Sequence, residues 1–162
     1  MTQITREKGN FPHLLFRKFL HGLFFMRRGL TLGVRLIIQA DDGKFLLVRH
    51  TYTPGWHFPG GGVEIGQTIE QAVRSELRQE TGLHLVGKPA LHGMFYNNLV
   101  SKRDHVLVYR CDAKGSLQAR PRSLEILAAE YFDYDKLPLD TERGTARRIQ
   151  EVVSGAKVSE YW

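Results

Sequence analysis

The chain has 162 residues, 42% hydrophobic and 25% charged, with nine Phe, six Tyr and two Trp; this suits one folded domain and excludes a disordered chain. The one cysteine, Cys111, excludes a disulfide-stapled scaffold and a multi-cysteine zinc module, and fits a reducing compartment. The net charge of +6 is concentrated in residues 1–30, where Arg6, Lys8, Arg17, Lys18, Arg27 and Arg28 face only Glu7, so a generally basic nucleic-acid-binding surface is not indicated.

In chain order, residues 1–10 are polar. Pro12 then opens an apolar run over 14–26. Phe16, Phe19, Leu20, Leu23 and Phe24 recur at helical spacing there, which predicts an amphipathic helix ending near Gly29. Residues 1–29 thus read as a basic arm and 30–162 as the main domain. The run is too short to cross about 30 Å of hydrocarbon, and no small-residue cleavage site follows it. No transmembrane segment is expected, and the chain is placed in the cytoplasm. The helix packs on the domain or on a second copy, so a homodimer stays open; the basic flanks also allow a peripheral membrane contact.

Residues 30–40, rich in Val, Ile and Leu, predict a strand. Asp41-Asp42-Gly43 is a hairpin signal, and residues 44–49 return as a second strand. Trp56-His57-Phe58 is a short extended piece before Pro59 and the run Gly60-Gly61-Gly62. Thr68 is placed to N-cap a helix over 69–81 that Gly82 stops. Residues 83–96 read as one or two strands, 104–111 as another, 113–122 as a loop and 130–134 as a last strand. A helix over 141–154 closes the pattern. Strands mixed with a few helices indicate an α/β or α+β sandwich.

The stretch that carries chemistry is the glycine run leading into the 69–81 helix. Glu76 and Glu80 are four residues apart, on one helical face. Two carboxylates at that spacing repel unless exposed or bridged by a cation, and hard oxygen donors of this kind suit Mg²⁺ or Mn²⁺. Ala72, Val73 and Leu77 leave the opposite face free to bury. On their own, the two glutamates are equally readable as solvated surface charges.

The full pattern narrows this. Pro59-Gly60-Gly61-Gly62-Val63-Glu64-Ile65-Gly66, Ala72, Glu76-Leu77 and Glu80-Thr81-Gly82-Leu83 closely resemble the signature of the Nudix hydrolases, G-x5-E-x7-R-E-U-x-E-E-x-G-U with U aliphatic, running from Gly61 to Leu83. The order of elements from about residue 30 to 154 is similar to the family's; the arm lies outside the resemblance. It implies a Nudix-like α/β/α sandwich with a mixed sheet. It also implies Mg²⁺-dependent hydrolysis of a diphosphate linkage in a nucleoside diphosphate derivative, with Mn²⁺ as a substitute ion. By position, Glu76 and Glu80 would be catalytic and would hold the metal. Gly61 would contribute its carbonyl and Gln79 a weaker amide ligand. A base outside the signature would come from Asp104, His105 or Glu125. Arg35, Arg49 and Arg103, with Lys102, would meet phosphates. Tyr52, Trp56, Phe58, Phe95 and Tyr96 could stack on a base. The partner is therefore a nucleotide-derived small molecule, with no nucleic acid expected.

Three positions depart from the signature. Gln67 and Ser75 replace a glutamate and an arginine that support each other in the family, and Gln79 replaces the first of two adjacent glutamates. Losing both members of a pair leaves neither charge stranded. Losing the charge at 79 lowers the charge offered to a metal, so a weakly active or inactive nucleotide-binding module is the alternative. Arg74, about 100° round the helix from Ser75, is better placed to pair with Glu70. Residues 99–101 carry neither the proline nor the tyrosine that marks ADP-ribose or dinucleoside-polyphosphate subgroups.

Overall fold

Alternation along β1 (Thr31–Ile37) decides the architecture. Val34 and Leu36, with Ile38 just beyond, belong to one core cluster, and Ile37 belongs to another on the opposite face. A strand that is apolar on both faces needs a cover on each. The first cover is α1 (Ile69–Thr81), which buries Ala72, Val73 and Leu77 beside Leu46, Leu107 and Cys111. The second is α2 (Arg143–Ser154), whose Ile149 packs with Phe45, Leu47, Phe58, Phe95 and Val108. The result is an α/β/α sandwich. A computed structural model of the chain describes residues 29–117 and 125–162. The chain divides into Met1–Leu30 and Thr31–Trp162, and the second unit is the one treated below. The helix expected over 14–26 lies outside the described residues.

Among the described residues, six strands form two three-stranded sheets. In one, β5 (Asp104–Lys114) pairs parallel with β1 and antiparallel with β4 (His84–Tyr96). In the other, β2 (Phe45–His50) lies between β3 (Trp56–His57) and β6 (Ile126–Phe132), antiparallel to both. The hairpin signal at 41–43 does make a turn, with the Gly43 N–H donating to Ala40 at 2.9 Å. Its two strands then part after the Gln39–Phe45 bridge and enter different sheets. The reason is that both edges of β1 are taken, one by β5 and one by the glycine run. Residues 83–96 are one strand rather than two, with register shifts after Val86 and Leu91 absorbing the Gly-Lys-Pro interruption.

Several boundaries differ from the sequence expectation, two of them by enough to matter. The loop expected from 113 begins later, because Ala113 and Lys114 pair with Leu85 and His84. The last strand begins at Ile126 instead of 130, hidden by alanines of low strand propensity that nonetheless pair with β2. The caps of α1 fall where expected, whereas α2 begins at Arg143 instead of 141. Thr68 and Gln71 form a reciprocal capping box, and the Gly82 N–H closes α1 on Arg78. Glu142 caps α2 by accepting from the Gly144 and Thr145 N–H groups at 2.8 and 2.7 Å.

Candidate active site

The glycine run is pinned along the edge of β1. The Leu36 and Val34 N–H groups donate to the Pro59 and Gly61 carbonyls at 2.8 and 2.9 Å, and the Val63 N–H donates to Leu32 at 2.8 Å. This register sets the run against α1. The Gly60 N–H donates to Glu80 Oε2 at 2.7 Å. Glu76 lies so close to Gly61 that a Cβ there would come within 2.5 Å of its Oε1. Gly60 is the tightest point: its φ is +145°, and a side chain would overlap the Val34 carbonyl. Gly60→Ala is therefore expected to cost at least about 2 kcal/mol, read as a lowered urea midpoint at constant m-value.

The two glutamates sit in a poorly solvated place. Burial pushes the Glu80 carboxyl up to about 8, with Glu76 adding to the rise and the Gly60 N–H and Arg35 opposing it. Glu76 is raised as well, chiefly by burial, with Arg35 opposing. His50 Nε2 is 3.6 Å from Glu80 Oε1, but burial, with His57 and Arg35, pushes this imidazole down to about 4. At neutral pH the pair is thus a neutral acid beside a neutral ring, not an ion pair. Glu76 accepts no hydrogen bond from any described side chain or backbone group, and its partly buried carboxylate is left to solvent.

A cleft of about 1060 Å³ opens over this end of β1, lined by Gly60, Gly61 and Gly62 together with Arg35, His50 and Tyr52. Of the three arginines expected at phosphates, Arg35 lines the cleft, whereas Arg49 and Arg103 are not among its lining residues. Arg49 pairs with Asp140 and lies over Trp56, 5.4 Å from the ring centre. Arg103 lends its carbonyl to the Thr31 N–H. Gln79 is exposed and donates to Ser75 Oγ at 3.0 Å. Of the three candidate bases, Asp104 accepts from Thr31 Oγ1 and Asn97 Nδ2, both at 2.7 Å, so it is already committed to the cleft wall. His105 stacks on Tyr96 with ring centres 5.4 Å apart. Glu125 acts electrostatically on Glu76, Glu80 and Tyr52, which puts it at the glutamate end. Trp56, Phe58 and Phe95 are core residues, leaving Tyr52 as the one aromatic of the expected set on the cleft. Sequence reasoning passed over His50. Its signal was its place at the end of β2, next to the apolar Phe45–Val48 run, where a histidine needs a reason.

A NUDIX domain model matches residues 29–152. The chain belongs to the Nudix family. A MutT-like protein of Streptomyces ambofaciens is 27% identical over 126 residues, covering 78% of this chain and 79% of that protein. An ADP-ribose pyrophosphatase of Methanocaldococcus jannaschii is 36% identical over 107 residues, covering 62% and 61% of the two chains. A Nudix hydrolase from Nitrosomonas europaea superposes with a TM-score of 0.67 at 20% identity, over 82% of this chain and 92% of that one, a likeness of fold.

Within this Nudix protein the departures from the signature have local partners. Gln67 Oε1 accepts the Glu64 N–H at 3.0 Å, closing the loop before α1, and Ser75 accepts from Gln79. Arg74 binds Glu70 through Nε and Nη2 at 3.0 and 2.7 Å, as the helical spacing predicted. Nudix hydrolases generally use divalent metal ions, and the residues here fit one. The donors are hard oxygens, Glu76 has no hydrogen-bond partner among the described residues, and the Gly61 backbone stands beside it. Among the described residues no three His, Cys, Asp or Glu converge to enclose an ion.

Proposed function

We propose that this Nudix protein hydrolyses the diphosphate linkage of a nucleoside diphosphate derivative with Mg²⁺, and less selectively with Mn²⁺. The observation that carries this is the hydrogen bond of Glu80 to Gly60 and the close approach of Glu76 to Gly61, two glycines that line a cleft together with Arg35, although neither glutamate is itself a lining residue. Glu76, Glu80 and the Gly61 carbonyl would hold the ion, with Gln79 reaching it only through water. A bound Mg²⁺ would neutralise phosphate charge and acidify a bound water. The chain supplies the rest. In its ionised form the Glu80 carboxylate would accept a proton from water. Arg35, a permanent cation at the cleft, would meet the diphosphate. Gly60 orients the Glu80 carboxyl through its N–H.

The test is a panel of nucleoside triphosphates, nucleotide sugars, dinucleotides and ADP-ribose, assayed with Mg²⁺, Mn²⁺ and chelator. Turnover of at least one compound, abolished by chelator, is the expected result. No turnover by folded protein overturns the reading. The engagement of Gln79 with Ser75 supports a second reading, a Nudix-fold binding module; nucleotide affinity indifferent to chelator, without turnover, would favour it.

The N-terminal arm is proposed to be dispensable for this chemistry. Homodimer formation and peripheral membrane contact are proposals that concern the arm.

A further inference from the structure

The same cleft has a second wall, built by elements other than the glycine run. Trp162, in the segment that follows α2, lines it together with Asn97, Val100 and Ala146. This segment is fastened in register. The Tyr96 N–H donates to Glu160 at 2.9 Å and the Trp162 N–H donates to Tyr96 at 3.2 Å, which makes a short parallel bridge to β4. Arg148, only 1% exposed, donates to the Tyr161 carbonyl at 3.1 Å and lies 4.1 Å from the Phe95 ring centre and 5.8 Å from that of Trp162. The indole meets Phe95 edge-to-face at 5.9 Å, and it lies against Gly144 so closely that a Cβ there would overlap the ring. Held by these contacts and by the core it packs on, yet partly exposed, the indole is a fixed apolar plane at the cleft. Tyr52, the rival aromatic, is 68% exposed, and its ring contact is a tilted one with His50 at 5.2 Å.

We infer that Trp162 is the base-stacking residue of this cleft. It receives the flat face of the nucleobase while residues 60–62 and Arg35 hold the diphosphate. This rests on the reading given under Proposed function and specifies how that substrate class is recognised. A ring already immobilised by its neighbours loses little freedom on stacking, and stacking is tolerant of base identity. Arg148 and Gly144 are positioning residues: they act on the ligand only through the indole.

Fluorescence tests this directly, because the chain has two tryptophans, Trp56 and Trp162. In Trp56→Phe, ADP with Mg²⁺ is expected to quench the remaining emission. Pyrophosphate, which carries the same diphosphate without a base, is expected to leave it unchanged. By calorimetry, Trp162→Ala should raise the Kd for ADP about tenfold, with pyrophosphate affinity unaltered and Trp162→Phe restoring most of the loss. Gly144→Ala favours helix yet displaces the indole, and should weaken ADP in the same way, so the result does not depend on one variant folding. Equal quenching by pyrophosphate overturns the inference. So does an unchanged ADP affinity in Trp162→Ala, an effect carried by Tyr52→Ala instead, or no ADP binding at all. Diphosphate hydrolysis that continues while Trp162→Ala changes nothing removes this inference and leaves the proposed function standing. Base-dependent binding without turnover of any panel compound does the reverse.

Discussion

Glu80→Gln is expected to lower kcat by at least about a hundredfold while leaving the thermal midpoint nearly unchanged. The two halves of that expectation have separate causes. In the resting protein burial holds the Glu80 carboxyl largely protonated at neutral pH, so an amide of the same shape replaces a neutral group with a neutral group. The glutamine oxygen can still accept the Gly60 N–H, and His50 beside it is uncharged. The structural role therefore survives. The chemical role does not, because an amide can neither ionise to hold a cation nor take a proton from water. Steady-state assay on the best panel substrate, with a melt on the same sample, checks both halves. Full activity in Glu80→Gln would show that this carboxylate has been given the wrong role.

Arg148→Met is expected to destabilise the fold by about 3–5 kcal/mol, the range for breaking a buried ion pair by removing one partner. Arg148 donates to Glu151 Oε1 at 2.7 Å, and Glu151 Oε2 lies 3.1 Å from His92 Nε2 on β4. The Ser159 N–H also donates to Glu151, at 3.1 Å. Without the guanidinium, Glu151 stays buried with less compensation, and Phe95 and the Tyr161 carbonyl each lose a partner. Urea unfolding measures the loss, and Arg148→Met/Glu151→Leu should lose less than the sum of its single changes. The pH dependence has a definite sign. Burial alone would raise the Glu151 carboxyl, but His92, the Ser159 N–H and Arg148 outweigh it and hold it below the ordinary value of 4.5. A depressed carboxyl stabilises the fold above its unfolded value and ceases to do so as pH falls through its folded one. The advantage of the native protein over Glu151→Gln should therefore shrink as pH falls below about 4.5.

The elements most readable in the sequence were those set by short-range rules. The Thr68–Gly82 helix is bounded by its own caps, and the facing of Glu76 and Glu80 follows from helical spacing alone. The glycine run was legible through its resemblance to a long signature. What escaped depended on distant partners. Nothing local says that the strands flanking Gly43 enter different sheets, because that is decided by β5 and by residues 59–63 competing for β1. Arg49 looked as available to phosphate as Arg35 until Asp140, 91 positions away, took it. His50, Arg148 and Trp162 gave no motif, since their roles come from neighbours that only folding assembles.

One consequence concerns the order in which such a protein matures. The acidic pair and its glycine bend lie within about twenty residues of each other and close against β1 by short loops, so this part of the site involves short loop closures. The opposite wall is different, for it joins Leu32 and Asn97 to Arg143 and Trp162, and no emerging polypeptide possesses it until residue 162 is clear of the exit tunnel. A nascent Nudix chain of this design would carry the means to attract a cation well before it could retain a nucleotide, so premature turnover during synthesis is discouraged by connectivity alone.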